Sequence, residues 1–68
     1  MAMIKVIEVL AQSEKSWEDA AQSAIAEASK SVENIQSVYI KEMEAEVENN
    51  KIINYRINAK ISFEVIQD

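Results

Sequence analysis

The chain is 68 residues long and contains neither glycine nor proline. This constrains its fold more than any other feature, because sharp reversals ordinarily draw on glycine for positive φ or on proline for a preset φ. Long elements joined by few turns are expected. The one strong turn signal is Glu48-Asn49-Asn50-Lys51, since asparagine is the non-glycine residue that best tolerates the left-handed conformation of a tight hairpin. It divides the second half into two runs, 37–47 and 52–66, which pair as a long hairpin. The later run alternates with period two: Ile53, Tyr55, Ile57, Ala59, Ile61, Phe63 and Val65 share one face, and Asn54, Arg56, Asn58, Lys60, Ser62 and Glu64 the other. The first set is the predicted core face.

Residues 3–10 also read as a strand, with Ile4, Val6 and Leu10 on one side and Met3, Ile7 and Val9 on the other. A sheet covered on one side shows cleaner alternation, so the second face of this strand is expected to meet another part of the protein or another subunit. At Ser16 the period changes. Ser16 is a natural N-cap, Asp19 follows as a short-armed capping-box partner, and Glu18 and Asp19 complement the helix dipole. The apolar stripe of this helix is Trp17, Ala20, Ala21, Ala24, Ile25, Ala28 and Val32. Alanine lets a helix lie close on a sheet but buries little area. The expected fold class is α+β, with element order β1-α-β2-β3, a three-stranded antiparallel sheet of order 1-3-2 packed on one helix, and a single domain over 1–68. A right-handed crossover through the helix places the long final strand in the centre.

A core of this size rarely supplies more than about 3–5 kcal/mol unaided. With no cysteine and no histidine, disulfides and structural zinc are excluded as supplements, which leaves self-association. The same absences remove the commonest general base and the most nucleophilic side chain, so no catalytic residue is assigned and an enzyme is not expected. A formal charge of −5 argues against nucleic acid or anionic lipid as partner. No apolar run reaches the roughly 18 residues of a membrane span, and the start MAMIKVIEVLAQ carries charges where a signal peptide needs its apolar stretch. No membrane association and a cytoplasmic location are expected.

Lys5-Val6-Ile7-Glu8, then Ser16-Trp17-Glu18-Asp19-Ala20, Asn34-Ile35, and Tyr55-Arg56-Ile57 running to Ile61-Ser62-Phe63, carry a resemblance in order and spacing to the dodecins, over nearly the whole chain. The resemblance implies a hollow homododecamer of β-α-β-β subunits, many of which hold flavins between subunits without turnover. It also implies two departures. Flavin dodecins place a Trp at the position of Ser37, whose indole stacks on the flavin ring, and a Gln at the position of Arg56, which hydrogen-bonds the ring's polar edge. Serine offers no aromatic face, and arginine donates without accepting. Both changes resemble a branch of dodecins described as calcium-binding.

The candidate ligand-binding residues are therefore Ser37, Tyr39 and Arg56. Tyr39 lies two residues from Ser37, about 7 Å along the strand, either as a displaced stacking platform or as an interface tyrosine. Trp17 is read as a packing residue of the first helical turn. Glu42, Glu44 and Glu46 form a carboxylate row on one strand face and are the candidate metal ligands. Calcium takes about six to eight oxygens, more than a strand offers, so neighbouring chains would have to multiply the row. The plainer alternative is a solvated face. The expected function is a non-enzymatic shell that binds or stores a small ligand or cation, calcium ahead of flavin. A flavin-storage dodecin rebuilt around Tyr39 and Arg56, and a purely structural shell, are the alternatives.

Overall fold

The computed structural model describes residues 2–66; residues 1, 67 and 68 of the expected 1–68 domain lie outside it. Its elements are β1 (Ala2–Ser13), α1 (Trp17–Ala28), β2 (Ile35–Glu48) and β3 (Lys51–Ile66). The sheet order is β1-β3-β2, and both pairings are antiparallel, as the alternation and the crossover rule require. Among the described residues, the three with positive φ are all asparagines: Asn34 (62°), Asn49 (53°) and Asn50 (64°). Asn49 and Asn50 form the expected hairpin. Asn34 is a reversal that the sequence reading did not single out. Its carbonyl accepts the Glu64 N–H at 3.0 Å, and its Nδ2 donates to the Glu64 carbonyl at 3.4 Å, which clips the start of β2 to the end of β3.

The helix begins as predicted, with Ser16 Oγ accepting the Asp19 N–H at 2.9 Å. The Asp19 carboxylate does not close a capping box directly. It accepts from Ser13 Oγ at 2.6 Å, and Ser13 Oγ in turn accepts the Lys15 N–H at 2.9 Å, so the last residue of β1 organises the helix entry. The helix ends at Ala28, one turn short of the expected stripe through Val32. Ser29 Oγ donates back to the Ala26 carbonyl at 2.7 Å, and the ladder tightens through Lys30 N–H to Glu27 O (3.2 Å) and Ser31 N–H to Ala28 O (2.9 Å). Serine that bonds its own backbone in this way weakens helix continuation.

Ala20 of α1 sits on Ile57 and Ala59 of β3, all buried, with Val9, Ala11, Trp17, Ala21, Val38 and Ile40 packed around them. Two facing alanines allow this close approach. A 12-residue helix is about 18 Å long, whereas the 16 residues of β3 extend about 53 Å, and the molecule measures 55 × 19 × 13 Å. The helix thus covers only the middle of the sheet. Met43, Val47 and Ile52 remain exposed toward the hairpin tip, as do Ile4, Val6 and Leu10 on the far side of β1. Among the described residues no helix is long and apolar enough to cross a membrane.

Candidate functional site

The site is shaped by an irregularity in β2. Ile40 pairs with Ala59 and Glu42 with the next residue back, Asn58, so Lys41 is an extra residue in the ladder. Such a bulge reverses the facing of everything beyond it. Before it, Val38 and Ile40 lie against the helix-side row of β3; after it, Met43 and Ala45 do, opposite Ile57 and Tyr55. Glu42, Glu44 and Glu46 are thereby turned to the outer face of the sheet, opposite Asn58, Arg56 and Asn54. A regular strand would have put the three carboxylates on the side of Ile40.

Across this outer face the strands align in rows: Leu10–Asn58–Glu42, Gln12–Arg56–Glu44 and Glu8–Lys60–Tyr39. The first two rows line an open cleft of about 490 Å³. Arg56 is its hub. Its Nε donates to Gln12 Oε1 at 2.9 Å, and its guanidinium lies 3.1 Å from Glu46 Oε1 and 3.9 Å from Glu44 Oε1. Asn54 Nδ2 donates to the same Glu46 oxygen at 2.8 Å. The cation of this row is thus supplied by the chain itself, from β3, and it ties all three strands together. Farther along, Lys41 at the bulge reaches Glu8 at 3.7 Å.

The expected trio of ligand residues is not one site in a single chain. Ser37 and Tyr39 share the outer face with Arg56, but Tyr39 stands opposite Lys60, four residues along β3 from Arg56, or about 13 Å. Arg56 belongs with the carboxylates instead. Trp17 is a packing residue, as expected: it meets Tyr55 edge-on with centroids 4.8 Å apart, and its Nε1 donates to the Glu44 carbonyl at 2.9 Å, fixing α1 to β2 just beyond the bulge. The sequence reading did not assign Leu10, Gln12 or Asn58 to a site. The bulge that turns the carboxylates toward them is signalled by the apolar residues of β2, which change from even to odd positions between Ile40 and Met43.

Calcium needs more oxygens than one chain brings together. Among the described residues no three acidic or other metal-ligating side chains gather, and Glu44 and Glu46 are engaged by Arg56. Glu42 stands opposite Asn58 in the ladder, and the Asn58 Oδ1 is buried without a hydrogen-bond partner.

A family model described as Dodecin matches residues 3–66. The chain is 35% identical over 65 residues to the protein named calcium dodecin of Mycobacterium tuberculosis, covering 96% of this chain and 92% of that one. The crystal structure of the M. tuberculosis calcium dodecin, described as having a novel calcium-binding site, matches with a TM-score of 0.79 at 36% identity over 90% of this chain and 87% of that chain. The dodecin of Streptomyces coelicolor matches with a TM-score of 0.90 at 16% identity, over 98% of this chain and 96% of that chain, and so shares the fold.

Proposed function

Because the chain belongs to the dodecin family, we propose that it is the subunit of a homododecameric shell that binds or stores a small ligand or cation without turnover, calcium ahead of flavin. The observation that carries this reading is the carboxylate row. The bulge at Lys41 turns Glu42, Glu44 and Glu46 outward, in a chain similar to a protein named for calcium. Oxygen ligands beyond those of one chain come from neighbouring copies, which also cover the exposed Ile4, Val6 and Leu10. The test is a thermal melt of the assembled protein in calcium chloride and in sodium chloride of matched ionic strength. Binding to the folded state raises the midpoint by mass action, increasingly with calcium concentration. Equal midpoints in the two salts reduce the row to a solvated face.

Flavin storage remains the second reading because the Tyr39 ring is exposed and so presents a face for stacking. Its separation from Arg56 and the serine at position 37 count against it. Quenching of riboflavin fluorescence at low micromolar protein would favour it. A response to neither calcium nor flavin leaves the structural shell.

A further inference from the structure

We propose that Trp17 is a clamp that sets the angle of the hairpin arm, and that this angle is what lets copies of the chain close on one another as one discrete particle. The inference rests on the shell reading above and goes beyond it, by naming the residue that fixes the geometry of assembly.

β1 ends at Ser13, opposite Tyr55, so residues 51–54 of β3 pair only with β2. The sheet continues past its body as a two-stranded ribbon. Such ribbons twist more than wider sheets and hold their shape poorly alone. This one also leaves the body through two offsets. Lys41 is the extra residue in β2; farther out, Glu46 pairs with Asn54 but Val47 with Ile52, so Ile53 is the extra residue in β3. Each offset bends its strand and adds twist. The second brings Ile52 to the side of Val47, where the two side chains are 49% and 61% exposed. Asn49 at the tip lies about 26 Å along β2 from Lys41, so a change of about 10° at the bend moves it about 4–5 Å. That is a whole contact distance.

The segment between the two offsets is held at its centre. Trp17 Nε1 donates to the Glu44 carbonyl at 2.9 Å, and among the described residues this is the one side-chain hydrogen bond between α1 and β2. The same indole meets Tyr55 of β3 edge-on, with centroids 4.8 Å apart, so one side chain grips both strands of the arm at its root. Trp17 is also the first residue of α1, and three residues on Ala20 is seated in the core against Ile57 and Ala59. The arm is thereby tied to the most rigid part of the chain. Its angle matters because contacts between identical copies close into a particle only at particular rotations, and otherwise run on as open arrays.

The test is sedimentation velocity, with circular dichroism on the same samples, of the full-length wild type and of two chains altered at the clamp. Trp17→Phe keeps a ring against Tyr55 and loses the N–H. The second chain carries at position 17 the benzothienyl isostere of tryptophan, in which sulfur replaces the indole N–H; shape and packing are kept, so it decides the matter if the phenylalanine variant does not fold. Both are expected to lose the single sedimenting boundary of wild type and to give a broad series of larger species with native circular dichroism. Ser16→Ala is the control: it removes a hydrogen bond of equal length at the same helix start without touching the arm, and it is expected to keep the wild-type particle. If the isostere forms the same discrete particle as wild type, or loses particle and secondary structure together with no species of other sizes, Trp17 is a stability contact only; the clamp is overturned and the shell reading survives. If wild type itself forms no discrete particle, the shell reading fails and this inference with it.

Discussion

On the helix side of β3, Ile57, Ala59 and Ile61 are closed off by α1 and the flanking strands within one chain. On the other side of the same strand, Asn58 and Arg56 form the floor of an open cleft, and β1 presents Ile4, Val6 and Leu10 to solvent. The closed side is built from residues that complete one another: alanine against alanine, with aliphatic side chains filling the margins. The outer side leaves an unpaired carboxylate, an orphaned amide oxygen and uncovered apolar side chains in one continuous surface. A single chain therefore specifies its own fold through one face and its partners through the other.

The strongest way to break this comparison is to damage the closed side. Ile61→Ala leaves a cavity under the helix, with an expected loss of about 2–5 kcal/mol, comparable to all that a core of this size provides; circular dichroism should show a chain largely unfolded as a monomer. A charge on the outer side tests the opposite half. Leu10→Glu is expected to weaken the assembly in sedimentation and to lose native secondary structure together with it, because a carboxylate cannot be buried unpaired at an apolar contact. Smaller species that keep their native secondary structure would show that the closed side stands alone.

Smaller effects sharpen the boundary between the two regions. Ser16→Ala removes the helix cap on the closed side, for an expected loss of about 1 kcal/mol in chemical denaturation. Arg56→Gln removes an exposed ion-pair hub on the outer side, and the expected loss is less than about 1 kcal/mol and shrinks with added salt. A larger, salt-independent loss would mean that Arg56 is buried in the assembled shell.

The same division explains what could be read from the sequence. The order of elements, the Asn49-Asn50 hairpin, the helix start at Ser16 and the core row of β3 are local patterns of period, cap and turn, and each appears where expected. The helix end was not legible, because the Ser29 hydroxyl bonds back to the Ala26 carbonyl while the stripe is still apolar at Val32. Asn34 stood alone, without a second turn residue to mark the reversal. The placement of Arg56 depended on a register that the bulge at Lys41 offsets by one residue, and cross-strand register is invisible to the periodicity of either strand alone. Reading the change of apolar parity between Ile40 and Met43 would have turned Glu42, Glu44 and Glu46 to the face that carries Arg56.

The central claim is that one face of the chain is completed by its own helix and the other by further copies. Sedimentation velocity across a dilution series, followed alongside circular dichroism, tests it most directly. The account predicts one discrete particle of twelve chains, with native secondary structure lost together with that particle on dilution or in denaturant. A folded monomer persisting at micromolar concentration, with its outer face exposed to water, would contradict it.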